Sequence, residues 1–351
     1  MANWERNIMG FIPQDEWLNV GFTVTRQNDP VDSLFNDIKT DNLVAYWESI
    51  ASEYQVPMMA QFHAFDTETR KTFRVPIDTH NIEKGLIKVK INQSERMRAL
   101  LRSGVREDAL YDYVLQDGVR LSEQVFTRSK VAKNELLASG QVTIKENNLD
   151  LTVDYGVSAE QKAFTLDLSE NADIPGQLQT IVDAALAKGK TLTGFVTARK
   201  NLTKMRMNKA VQKMINGTAQ QGAIVRAAAL QAWLEDEYGL STIITNDLTY
   251  GADATYGEDG RPVITTARYF PEDKVTFFAA NSGNRLGTGL WGDPPEVDVQ
   301  RFLQVSGSEF PYVYVSQWIE NDPTVLWTKA SGLFMPVLFD PYSLWIATIT
   351  A

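Results

Sequence analysis

The chain has 351 residues, 44% hydrophobic and 22% charged, which supports a sizeable buried core and either two domains or one elaborate one. Lys and Arg number 34 against 44 Asp and Glu, and the net charge of −10 excludes a general nucleic-acid or anionic-membrane binder, which needs a dominant basic face. Cysteine is absent, and with it go disulfides, thiolate nucleophiles and sulfur metal sites.

The opening text, MANWERNIMGFIPQDEW, carries Glu5, Asp15 and Glu16 and no apolar run of signal-peptide length. No stretch approaches the roughly eighteen apolar residues of a membrane span, so synthesis and folding in a cytoplasm are expected. Residues 1 to about 40 read as an arm, with Trp4, Phe11, Ile12 and Trp17 scattered without a period. A helix is expected from Asn42 to about Tyr54, ending before Pro57.

From Met58 to Asn92 the text is strand-like and charged. Ile87, Val89 and Ile91 alternate with Lys88 and Lys90, which predicts a two-faced strand. Arg70, Lys71, Arg74, Lys84, Lys88 and Lys90 outnumber Asp66, Glu68, Asp78 and Glu83, making this segment positive on a negative body. A hairpin with so little apolar surface is marginal by itself. It reads either as an ordinary exposed hairpin or as an arm whose charge is matched by neighbouring copies. Ser94 then caps a short helix, Glu95 to about Arg102, which Gly104 ends.

The most regular pattern runs from Glu107 to Ser139. Leu110 and Val114 are repeated by Leu121 and Val125, then by Ala132 and Leu136, every eleven residues. That is about 3.67 residues per turn, close to a straight helix, so the stripe is not a coiled-coil seam. Glu107, Asp108, Asp112 and Asp117 crowd the first half and Arg128, Lys130 and Lys133 the second, an order that complements the helix dipole. Gly118 invites a bend and Gly140 a left-handed stop. Next, QVTIKENNLDLTVDYG predicts two strands around a Lys145 to Asn148 turn.

From Ile174 helices and strands alternate. Expected are a helix over Gln177 to Lys188 closed by Gly189, a strand over Leu192 to Thr197, two short helices before Gly217, a helix over Ala223 to Glu237 and a strand over Thr242 to Thr245. Tyr250 to Pro262 reads as an exposed loop, Val275 to Ala279 as a strand and the glycine-rich Asn281 to Gly292 as a flexible loop. The apolar C-terminal stretch predicts strands at Tyr312 to Trp318, Val325 to Thr328 and Leu344 to Thr350 that return into the core.

Little of this text carries chemistry. His63 and His80 both lie in the charged segment, seventeen positions apart, and no serine sits in a nucleophile elbow. The run Asn281 to Gly292 lacks the Gly-Lys-Ser/Thr of a phosphate loop and the Gly-x-Gly-x-x-Gly of a dinucleotide site. No spacing singles out a carboxylate pair for glycoside hydrolysis. Thr197 to Asn216 holds Arg199, Lys200, Lys204, Arg206, Lys209 and Lys213 with no acid and no aromatic, which suits an acidic protein neighbour better than nucleic-acid stacking. No catalytic residue, cofactor or metal is expected.

The order of parts, together with QFHAFDTE, IKVKINQSERMR, GQVTIKENNLDLTVDYG, NKAVQKM and PEDKVTFFA, resembles the major capsid proteins of tailed bacteriophages, specifically the lambda-type (protein E) family with the Hong Kong 97 coat fold. Asp322-Pro323 followed by Asp340-Pro341, with Ser331 and Pro336 between, resembles that family's paired Asp-Pro frame. The resemblance implies an α+β coat fold divided as 1–56 (N-terminal arm and short helix), 57–92 (extended loop), 93–170 (peripheral domain with a spine helix, 107–139), 171–294 (axial domain) and 295–351 (return strands). It implies pentamers and hexamers closing an icosahedral shell around double-stranded DNA, in a virion assembled in the bacterial host cytoplasm. The partners implied are further copies of the protein, with scaffolding, portal and decoration proteins, packaged DNA bound without sequence specificity and no membrane. Inter-subunit contact is expected of Arg70, Lys71, Arg74, Lys84, Lys88, Lys90, Arg199 and Lys200. Self-cross-linking through Lys71 or Lys84 is not expected, because lambda-type relatives use separate cementing proteins. The alternatives are an encapsulin-like compartment and a cytosolic hydrolase, and an acidic wall suits any container that must not stick to packed DNA.

Overall fold

The computed structural model describes residues 28–50, 59–60, 77–93, 107–217, 222–256, 262–280, 283, 285–299, 306–310, 312–322 and 324–350. The arm before residue 28, the helix expected at 95–102, and His63, Arg70, Lys71 and Arg74 lie outside the described residues.

A 3-10 turn (Pro30–Ser33) leads into β1 (Phe35–Lys39), β2 (Val44–Ile50), β3 (Ile77–Glu83) and β4 (Gly85–Gln93). The long helix α1 (Glu107–Ser139) and the hairpin β5 (Gln141–Glu146) and β6 (Leu149–Asp154) follow, then α2 (Ala159–Lys162), β7 (Phe164–Asp167), α3 (Ile174–Ala187) and β8 (Gly194–Thr197). Next come α4 (Arg199–Met207), α5 (Lys209–Asn216), α6 (Ala227–Tyr238), β9 (Thr242–Thr245), β10 (Thr249–Tyr256), β11 (Pro262–Arg268), β12 (Lys274–Phe278) and β13 (Gly287–Gly292). The last elements are α7 (Glu296–Val299), β14 (Ser306–Phe310), β15 (Val313–Asn321), β16 (Thr324–Leu338) and β17 (Leu344–Thr350).

Helix α1 has the expected bounds, and Gly118 does not interrupt it. It stops where Gly140 takes φ +70° and donates its N–H to the Leu136 carbonyl at 2.8 Å. The β5–β6 turn is tighter than expected. Asn147 and Asn148 alone form it, at φ +50° and +65°, the left-handed pair a two-residue hairpin requires and asparagine tolerates.

Two sheets enclose the second half of α1. The first runs β1-β13-β16-β15-β14, and β4 pairs with β16 as well. Along β16, residues Leu326 to Ser331 pair with both β15 and β4, whereas Leu333 and Phe334 pair with both β13 and β4. One edge of this strand is therefore shared end to end by β15 and β13, and β4 has the other. The second sheet runs β7-β17-β12-β8-β9 and alternates with period two. Phe195, Phe277 and Trp345 face a core capped by α3 to α6, while Val196, Phe278 and Leu344 face the core that contains α1.

Leu121, Val125, Ala132 and Leu136 are buried in that core, packed on β16, β4, β5, β15, β12 and β17. Burying Leu136 completely stabilises the fold by about 1.5–3 kcal/mol. From Leu121 on, only Glu123, Gln124 and Ser139 of the helix are exposed. Lys130 and Lys133 sit more than a turn before the C-terminus, so they do not serve the dipole, whose effect is confined to the last turn.

Four expectations are corrected. Within the helix expected over Asn42 to Tyr54, the described Val44–Ile50 is a strand, because β3 lies antiparallel to it and supplies the partner that local propensity ignores. The 58–92 segment is not a self-paired hairpin across its described strands, since β3 pairs with β2 and β4 with β16. Tyr250 to Pro262 belongs largely to an antiparallel ribbon of β10 and β11. The glycine-rich Asn281 to Gly292 ends in β13, a buried strand parallel to β1 and antiparallel to β16.

The β13 glycines are there for space. A Cβ on Gly287 would collide with the Val337 carbonyl oxygen and the Phe35 ring. One on Gly289 would collide with the Asp37 carboxylate and meet Phe334 and Lys133, and one on Gly292 would meet Leu333 and Lys84. Gly289→Ala is expected to lower unfolding free energy by about 1–3 kcal/mol, as overpacking does. Denaturant melts of the purified protein measure this, and a neutral result would restore the flexible-loop reading.

Candidate assembly site

Three polar constellations are built on this frame. The first begins at Asp29, which caps the Pro30–Ser33 turn by accepting the Val31 N–H at 2.9 Å. Its other contacts reach across the molecule: Asn134 of α1 donates to Oδ2 at 2.7 Å, and Asn246, just past β9, donates to Oδ1 at 3.0 Å. Asn246 also donates to the Asn134 side-chain oxygen at 2.9 Å, so the three buried side chains close a ring. The ring joins the first described residues, the long helix and the second sheet. Burial pushes the Asp29 carboxyl above its usual range, and the Val31 and Asn134 hydrogen bonds oppose that rise.

Immediately before Asn134 on α1, the Lys133 ammonium lies 2.8 Å from Asp32 Oδ1 and 2.9 Å from Asp37 Oδ1, on a side chain only 2% exposed. Lys84 is the second strut. It occupies the break between β3 and β4 and is buried, contrary to its expected surface role. Its ammonium donates to Thr40 Oγ1 at 2.6 Å, to the Thr40 carbonyl at 2.8 Å and to the Trp291 carbonyl at 3.1 Å. All three donors serve oxygens of the same molecule, which ties the root of the β2–β3 ribbon to the end of β13. Burial lowers its pKa, with the Asp293 and Asp41 charges opposing.

The third constellation covers the face of the first sheet turned away from α1. Lys90 lies 4.1 Å above the Trp327 ring, Trp327 stacks on Trp318 with centroids 6.2 Å apart, and Lys329 lies 5.4 Å from the Trp318 ring. The Trp327 indole N–H donates to Glu320 at 2.8 Å. Glu296 accepts from Lys88 at 2.7 Å and from Lys329 at 2.9 Å. Burial opposes the Glu296 charge, but the hydrogen bonds from Lys88, Lys329 and its own backbone N–H outweigh it and hold the carboxyl at about 2.

Among the eight expected contact residues, Lys88 and Lys90 share this ladder. Arg199 and Lys200 open α4 beside the other sheet, where Lys200 pairs with Glu272 and the Arg199 backbone N–H donates to Asp247 at 3.2 Å. The two groups do not form one patch. Glu296, Lys329 and the paired tryptophans went unnoticed in the sequence. The alternation of Trp327 with Lys329 was the available signal, whereas nothing near Glu296 announces two lysine partners more than thirty and two hundred positions away. Asp340 caps the turn into β17 by accepting the Tyr342 N–H at 2.9 Å and pairs with Lys190 at 2.5 Å, which gives one half of the Asp-Pro frame a structural task.

These are bracing contacts and not reaction machinery. Among the described residues there is no metal-competent cluster of His, Cys, Asp or Glu, and no helix is long and apolar enough to cross a membrane. A pocket bounded by β4, α1 and the β5–β6 hairpin and another near Lys190 and Asp340 hold about 110 and 230 Å³. Both are below the roughly 300–1,000 Å³ of small-molecule sites.

The long helix braced between two sheets is the arrangement of the Hong Kong 97 coat fold, which solved phage capsid structures share. The model of the family described as phage major capsid protein E matches residues 63–349, and the protein belongs to that family. Two solved structures share the fold. One is described as a prophage capsid protein of E. coli CFT073, at 13% identity and TM-score 0.56, with 97% of this sequence and 99% of that one covered. The other is a phage-related protein from Bordetella bronchiseptica RB50, at 10% identity and TM-score 0.53, with 96% and 97% covered. No curated protein matches the sequence.

The buried groups set two expectations. Asp29→Ala leaves three donors without their acceptor and is expected to cost about 3 kcal/mol, read from chemical denaturation at neutral pH. Glu296→Gln is expected to cost about 2 kcal/mol near pH 7. Because the Glu296 carboxyl is depressed in the fold, the wild-type advantage is present above its ordinary value of 4.5 and shrinks as pH falls towards about 2. Paired melts across that window measure the difference.

Proposed function

We propose that this phage major capsid protein closes into pentamers and hexamers of an icosahedral shell around double-stranded DNA. The observation that supports the reading is the match to the capsid family across residues 63–349. Scaffolding, portal and decoration proteins join the assembly, which takes place in the cytoplasm of a bacterial host. The division into an arm (1–56), extended loop (57–92), peripheral domain (93–170), axial domain (171–294) and return strands (295–351) belongs to the same proposal.

Arg70, Lys71, Arg74, Lys88, Lys90, Arg199 and Lys200 meet acidic surfaces of neighbouring copies, setting register more than affinity. Many modest contacts then make a stable shell by multivalency. The purified protein, alone and with a co-expressed scaffold, is expected to form closed particles visible by electron microscopy. Persistence as a 39.4 kDa monomer under every condition would overturn the reading. The double substitution Arg70→Glu with Lys71→Glu, at two of the expected contact residues outside the bracing clusters, is expected to slow particle formation, monitored by light scattering, while circular dichroism shows the monomer still folded.

A further inference from the structure

Asn216–Gly217 is the single Asn-Gly step in the sequence. From its setting we infer that it is a self-modification site, at which Asn216 deamidates spontaneously to a mixture of aspartate and isoaspartate. The backbone nitrogen of Gly217 attacks Cγ of Asn216, a new N–Cγ bond closes a five-membered succinimide, and the bond from Cγ to Nδ2 breaks with loss of ammonia. Water then opens the ring at either carbonyl.

Three features of the fold favour this step here. Asn216 is the last residue of α5, and Gly217 beyond it has φ +75° and, among the described residues, no neighbour within 4 Å of where a Cβ would stand, which leaves the backbone room to swing into the ring geometry. The attacking nitrogen is not held by the helix, because among the described residues no backbone hydrogen bond from Gly217 N–H closes α5, unlike Gly239 N–H at the end of α6. Solvent reaches the step, since Gly217 is exposed and Asn216 only half-buried. Asn134, Asn201, Asn208 and Asn246 are buried and followed by residues with side chains, so they lack the solvent access and the unhindered following residue that Asn216 has.

The modification has a local consequence. The Asn216 amide donates to the Ala223 carbonyl at 3.0 Å, and Gln212 accepts the Gly222 N–H at 3.2 Å, two bonds that hold Gly222 and Ala223 against α5. Deamidation replaces the Asn216 donor with a carboxylate that repels Ala223 O and places a negative charge at a helix C-terminus, where it is disfavoured.

Particles or soluble protein held at 37 °C and pH 8.5 and sampled over weeks, then digested with trypsin, test the inference on the peptide spanning residues 214–226. Its mass is expected to rise by about 1 Da, localised to Asn216 by fragmentation, with two new chromatographic forms and a rate that increases with pH. Asn216→Gln is expected to abolish the change, and Gly217→Ala to slow it at least tenfold if that variant folds. Mass at Asn216 that stays constant while the unfolded protein deamidates there would overturn the inference, as would gain at the buried asparagines at an equal rate. Both readouts are independent of whether the protein assembles.

Discussion

Everything in this molecule depends on keeping polar side chains paired along a helix that has sheets on both sides. From Leu121 onward α1 has almost no solvent face, yet it carries Ser122, Ser129, Lys130, Lys133 and Asn134 in buried positions. An unpaired buried charge costs several kcal/mol and an unpaired buried amide a smaller but real amount, so Lys133 and Asn134 are tolerable only with acceptors delivered to them. Asp29, Asp32 and Asp37 are those acceptors, and all three come from one short segment among the first described residues. That segment is thereby fixed on the helix, and it carries β1 with it.

Once β1 is laid down, the first sheet is constrained in turn. Its parallel pairing with β13 brings the Asp37 carboxylate against Gly289, and the glycines of β13 are what let Phe35, Asp37 and Lys84 approach. The opposite end of β13 supplies the Trp291 carbonyl to Lys84, which anchors the ribbon of β2 and β3. On the second sheet, the Thr276 hydroxyl donates to the Leu137 carbonyl at 2.7 Å and Asn246 completes the Asp29 ring, so the sheets reach each other through the helix and its polar groups. A shared buried helix whose polar groups find partners on both sheets makes a rigid frame.

The sequence was most informative where structure is local. The bounds of α1, β9 and β17 and the Gly140 stop could be read directly, because period, caps and a left-handed glycine act within a few residues. The family resemblance rested on the order of such parts and survived errors in several of them. The misreadings have a common cause. Asn42 to Tyr54, Tyr250 to Pro262 and Asn281 to Gly292 have weak local preference, and each was settled by a strand partner distant in sequence or by crowding that only assembled strands create.

The sites divide in the same way. Lys88 and Lys90 could be placed on one face of a strand because alternation is a property of the sequence itself. That Lys84, one of the same set of bases, points into the protein was invisible, since its three acceptors come from Thr40 and Trp291. By itself, then, the sequence determined the helix, the hairpin after it, the alternation of helices and strands beyond Ile174 and the kind of protein these parts compose. Tertiary structure alone decided which charges are struts and which remain on the surface, because that depends on acceptors up to about two hundred residues away in sequence.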